Sequence, residues 1–185
     1  MPARASGALP LPRGETVSIV PLDGPPAGEL VQLVVDLGRA GLSVTLSEAA
    51  ALPPSAYDRD RGQFRAERLL ALVRGLDGRR ILAVTGRDLY AEGLNFVFGI
   101  ADAPGRAAVI SLARLRGGGA DEETFRTRAV KEALHELGHT LGLPHCPNPL
   151  CLMHFSNSLD DTDRKSSRLC EACVLRAGPP GRPRP

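Results

Sequence analysis

The chain has 185 residues, 43% of them hydrophobic but only 4% aromatic, and carries a formal net charge of +2. That length suggests one domain able to bury about two-thirds of its unfolded surface, and no apolar run approaches the ~20 residues needed to span a membrane. The basic residues are nearly all arginine, with Lys131 and Lys165 the only lysines, and no basic block marks a recognition helix, so nucleic-acid binding is not expected. Residues 1–14 contain Pro2, Pro10 and Pro12 and no continuous apolar core, which is not a secretory signal, so a cytoplasmic protein, working as a monomer, is the expectation.

In chain order, the β-branched run from Thr16 to Leu22 predicts a first strand, closed by the turn Asp23-Gly24-Pro25-Pro26. Leu30, Leu33, Val34 and Leu37 recur at helical spacing within a helix from Glu29 to Leu37, and Gly38 and Gly41 mark its end. Leu42 to Leu46 alternates as a second strand, and Tyr57 to Phe64 reads as a charged connector. A helix over Glu67 to Leu76 turns Leu69, Leu70, Leu72, Val73 and Leu76 to a core, and Ile81 to Thr85 reads as a buried strand. Phe96 to Ala101 and Ala107 to Leu112 read as two strands joined at Pro104-Gly105. A long helix follows from about Glu122 to Leu141, its buried stripe formed by Phe125, Ala129, Ala133, Leu134, Leu137 and Leu141. Helices alternating with strands predict an α/β (α+β) fold on a twisted, mixed β-sheet. Residues 1–175 are expected to form the domain, and the Arg/Pro/Gly stretch 176–185 a disordered tail.

The chemistry concentrates at the end of the long helix. His135 and His139 are four residues apart and share a helix face, where two imidazoles grip one zinc ion, while Glu136 is offset toward a water beside it. His145 comes six residues after His139, a rotation of about 240° that would carry it away if the helix continued. Gly142 and Pro144 end the helix and let the chain double back, so His145 can become the third ligand. This His-Glu-x-x-His-x-x-Gly-x-x-His spacing matches the metzincin signature of zinc peptidases. In metzincins an edge strand above the zinc accepts extended peptide, a role open to Phe96, Val97 and Phe98; a plain core strand is the other reading.

Cys146, Cys151, Cys170 and Cys173 fall in two close pairs, which suits one closed tetrahedral zinc site. Disulfides and a redox-active Cys-x-x-Cys are the alternatives; the absence of a secretory signal weighs against the first. A zinc there would be structural, and because Cys146 abuts His145 it would fix the loop that delivers the third histidine.

His-Glu-x-x-His-x-x-Gly-x-x-His-Cys, then Cys151, Met153 and Cys170-x-x-Cys173, resembles the archaemetzincin family of zinc metallopeptidases, closely from Lys131 to Cys173. The resemblance implies two zinc ions per chain. His135, His139 and His145 would hold the catalytic one with Glu136 as general base, and the four cysteines the structural one in a zinc-bound C-terminal subregion. It also implies that Met153 is the methionine of a Met-turn beneath the histidines and that the substrate is a peptide or protein. Most metzincins carry an inhibitory pro-segment; the short stretch before the first strand leads to the expectation of none here. Several metzincins carry a tyrosine two residues after this methionine; here that position is Phe155, which has no donor. The competing class is a zinc-binding interaction module that holds peptide without cutting it, which would have no need of Glu136.

Overall fold

Residues that are apolar at every position, not every second one, make strands buried on both faces, and the centre of this molecule is built from them. In the computed structural model, which describes residues 7–12 and 14–178, the elements run as follows: β1 (Thr16–Leu22), α1 (Ala27–Arg39), β2 (Ser43–Leu46), β3 (Tyr57–Asp58), β4 (Gln63–Arg65), α2 (Ala66–Arg74), β5 (Arg80–Thr85), β6 (Leu89–Tyr90), β7 (Gly99–Ala101), β8 (Ala107–Ser111), α3 (Glu122–Thr140), α4 (Leu159–Arg164) and α5 (Glu171–Ala177). The main sheet has the order β2-β1-β5-β8-β7. Its first four strands are parallel and β7 runs antiparallel to β8, so the sheet is mixed.

Alternate residues of the central strands feed two cores. Leu82, Val84, Ala108 and Ile110 pack on one side with Leu30, Leu33 and Leu37 of α1 and Phe125, Ala129, Ala133, Leu134 and Leu137 of α3. Ile81, Ala83, Ala107 and Val109 face the other way, onto Leu69, Leu70 and Val73 of α2. The period of two in the strands and of about 3.6 in the helices thus meet in a three-layer arrangement.

Helix α3 is fixed at both ends. At its start the Asp121 side chain accepts from the Thr124 amide at 2.8 Å, and Glu122 and Glu123 complement the positive helix terminus. At its end the buried Arg80 of β5 donates to the Thr140 hydroxyl and the Gly105 carbonyl while pairing with Glu15 at 2.6 Å. The motif-bearing turn is therefore tied to the sheet.

Three expectations need correction. The charged connector at Tyr57 to Phe64 contains an antiparallel pair, β3 with β4, closed through Gly62 at φ 68° and extended by β6 into a second sheet. Phe96, Val97 and Phe98 are not in the edge strand, which begins at Gly99. Val97 instead bridges to Leu89 of β6, and Phe96 and Phe98 meet edge-to-face with centroids 5.2 Å apart. Aromatic and β-branched content suggested a strand there, but beyond the Phe98 carbonyl, which still accepts from the Ser111 amide, ring packing and the link to the second sheet turn the segment away from the ladder. Finally, Arg176 and Ala177, placed in the tail by their composition, complete α5; residues 179–185 lie outside the described residues.

Candidate active site

The last turn of α3 ends in a Schellman motif: the Gly142 amide donates to the His139 carbonyl and the Leu143 amide to the Gly138 carbonyl. Gly142 has φ 76°, a conformation costly for any residue with a side chain. Leu143, fully buried, anchors the reversal. The chain then returns His145 to the face that carries His135 and His139.

The three Nε2 atoms converge. His139 Nε2 lies 3.1 Å from both His135 Nε2 and His145 Nε2. Two ligands bound at 2.0–2.1 Å and near-tetrahedral angles stand about 3.3 Å apart, so this spacing fits one zinc ion. The opposite ring nitrogens fix the tautomer. His135 Nδ1 donates to the Leu152 carbonyl and His139 Nδ1 to the Leu143 carbonyl, each at 2.8 Å, which leaves Nε2 as the free lone pair. Burial, with neighbouring positive charge from Lys165, holds the His135 imidazole well below its usual range. Burial and the neighbouring His139 lower His145 to about 4. All three rings are thus neutral donors, the form that binds metal.

Glu136 stands beside them, 5% exposed, its carboxyl raised well above the usual range by burial and then by the charge of Glu132, with Lys165 opposing. It is packed against β7: a Cβ on Gly99 would lie 2.6 Å from Glu136 Cγ. Met153 is fully buried beneath the helix, and a Cβ on Gly138 would run into its sulfur. The segment after it forms the wall opposite β7, where the Phe155 ring lies 4.8 Å from that of His145. His154 points elsewhere, its Nδ1 3.0 Å from the Cys146 carbonyl.

A cleft of about 530 Å³ opens over these groups, lined on one side by Phe96 through Ala101 and on the other by Phe155, Ser156 and Asn157, with His135, Glu136, His139 and His145 between. β7, as the outermost strand of the main sheet, borders it. The four cysteine sulfurs form a second cluster, all within 4.8 Å of one another, with Cys146 Sγ 3.7 Å from Cys170 Sγ. Thiolates 2.3 Å from one zinc stand about 3.8 Å apart, whereas a disulfide brings sulfurs to about 2 Å, so the cluster fits a metal and not a bridge. Burial works against ionisation of Cys170, yet the Cys173 amide and neighbouring thiols bring it to about 7. The Cys146 amide donates to the Met153 carbonyl at 2.8 Å, so cysteine cluster, Met153 and His145 share one short loop.

The chain and its fold resemble known proteins. The family model described as peptidase family M54 matches residues 35–177. The chain belongs to that family, the archaemetzincins. It is 53% identical over 127 residues to the archaemetzincin of Methanopyrus kandleri, covering 68% of this chain and 71% of that one. It is 41% identical over 174 residues to that of Pyrococcus abyssi, covering 86% and 93%. The crystal structure of the Methanopyrus kandleri archaemetzincin superposes with a TM-score of 0.79 at 43% identity over 90% of this chain and 96% of that one. As an archaemetzincin the protein is a zinc metallopeptidase of the metzincin type, and peptides or proteins are its substrates. Among the described residues no helix is long and apolar enough to cross a membrane.

Two cleft-side residues escaped the sequence reading. Glu132 lines the cleft four residues before Glu136, a position helical arithmetic alone could have found. Lys165, buried beneath it, carries no local sequence signal.

Proposed function

We propose that His135, His139 and His145 hold a catalytic zinc ion, that Glu136 is the general base of peptide-bond hydrolysis, and that Cys146, Cys151, Cys170 and Cys173 hold a second, structural zinc. The observation that carries the reading is the convergence of three neutral Nε2 atoms at the floor of a cleft, with a buried carboxylate beside them and a free strand along one side. A zinc ion in such a site lowers the pKa of a water molecule to about 7 and polarises a carbonyl.

The chain's own groups do the rest. The edge of β7, Gly99–Ala101, offers main-chain donors and acceptors to an extended peptide, the task expected of Phe96 to Phe98 and displaced by a few residues. Phe96, Val97 and Phe98 contribute side-chain and backbone surface to the same wall. Glu136 takes the proton from the attacking water and passes it to the departing amine. Leu152 and Leu143 hold two of the imidazoles by their carbonyls, and Met153 supports the helix from below through the Gly138 gap. Phe155 brings an apolar ring against His145 where a hydroxyl would have donated.

Glu136→Ala tests this. Glu136 touches no cysteine and is not one of the clustered histidines, and alanine favours the helix, so the variant keeps its fold and zinc content. Peptides cut by the wild type should be cut about 10²–10⁴-fold more slowly, or worse, because one carboxylate serves both proton transfers. Equal turnover by zinc-loaded wild type and variant would remove Glu136 from the mechanism.

A further inference from the structure

Lys165 is completely buried, although it follows a six-residue helix composed mostly of polar residues. Its Nζ lies 2.9 Å from Glu132 Oε1, an oxygen that also accepts a 3.1 Å hydrogen bond from the Thr162 hydroxyl. The lysine contact is one of charge, because among the described residues Nζ has no hydrogen-bond partner of proper angle. Helix α4 does not need it as an anchor. Arg128 already forks onto both oxygens of Asp163 at 2.7 Å, and Lys131 donates to the carbonyls of Thr162 and Asp163 at 3.0 and 2.9 Å. A buried ammonium is expensive to desolvate, and an apolar side chain of the same length would pack there at lower cost. What the apolar side chain would lack is the charge.

That charge has one evident target. Glu132 is 3% exposed, lines the cleft, and shares a helix face with Glu136 one turn on. Two buried carboxylates therefore stand one helical turn apart at the cleft, and of the two only Glu132 has an ion-pair partner among the described residues. We propose that Lys165 is a positioning residue: its ammonium cancels the Glu132 charge, leaving Glu136 as the one uncompensated carboxylate beside the three histidines. The inference rests on Glu136 being the base. Glu136 has little slack, because it is packed directly against Gly99. With Lys165 removed, the stranded Glu132 charge repels Glu136 and displaces it from that place.

The test compares Lys165→Met, the double variant Glu132→Gln/Lys165→Met, and Glu136→Ala, with kcat, KM and zinc per chain measured for each. Lys165→Met should keep its zinc and its KM within about threefold, while kcat falls by about tenfold or more, since removing one partner strands the other charge. The double variant, which removes both charges, should regain most of that loss. Unchanged kcat in Lys165→Met overturns the proposal, and so does a double variant no better than the single one. If Lys165→Met alone does not fold, the double variant decides: recovered turnover supports cancellation, whereas an inactive or unfolded double variant refutes it. An active Glu136→Ala would instead defeat the underlying reading of the base, so the two failures are separable.

Discussion

Gly138→Ala sets two known effects against each other in the middle of the motif-bearing helix α3. In a free helix the change is favourable, because glycine costs about 0.8–1.0 kcal/mol relative to alanine at an interior position. Here a methyl group would enter space already held by the Met153 sulfur, with the Met153 methyl at 3.0 Å. Met153 is fully buried and cannot swing into solvent. Overpacking of this kind costs about 1–3 kcal/mol, so the net effect should be a loss of about 0–2 kcal/mol. For a chain of this size that is a fall in Tm of up to about 8 °C. The displaced methionine would also move Leu152, whose carbonyl holds His135 at 2.8 Å, so zinc affinity at the histidines should drop with stability. Thermal unfolding together with chelator competition measures both. A variant that melts 2–4 °C higher and holds histidine-site zinc as tightly as the wild type would show that Met153 gives way freely, and the account of it as a support would be wrong.

Cys170→Ser should lower Tm and also loosen zinc at the histidines, because Cys146 and His145 are neighbours; metal content after graded chelation should fall at the histidine site first in the wild type and at both sites together in the variant. Asp163→Asn should be less stable than wild type at neutral pH. The Arg128 guanidinium holds the Asp163 carboxyl below its usual range, so its contribution is present above the unfolded pKa of about 3.9 and disappears as pH falls through the lower folded value. The gap in urea midpoint between the two proteins should therefore close below about pH 4, and a gap that stays constant into acid would refute the ion pair as its source.

How much of this could be read from the sequence depended on the length of each signal. The long helix was legible nearly to the residue, because five apolar positions from Phe125 to Leu137 repeat at helical spacing before Gly142 stops it. The histidine and cysteine clusters were legible because candidate metal ligands are marked by identity and spacing, and the fold brings both sets together. Two-residue strands such as β3 and β6 leave no periodicity to detect, and they exist because Phe64 and Leu89 find each other across the chain. Helix α4, Leu159–Arg164, has no apolar stripe at all. Its Ser158 cap and its ion pairs to α3 hold it, and those partners are some thirty residues distant. Arg128, Lys131 and Lys165 likewise look like surface charges in the sequence and are buried in the fold.

The brevity of β7 has a consequence for solubility as well as for substrates. An unpaired sheet edge is where copies of a protein tend to join strand to strand, and long flat edges are the hazardous ones. Gly99–Ala101 spans three residues, about 10 Å of extended chain. On one side the Phe98 carbonyl takes the last hydrogen bond, from the Ser111 amide, before Val97 turns to the second sheet, and the turn at Pro104 follows on the other. Such a ledge can register a short stretch of backbone but cannot template a growing stack. Lengthening a peptide past the cleft would add few main-chain bonds, so affinity should depend on the side chains that meet the two walls more than on the length of chain presented.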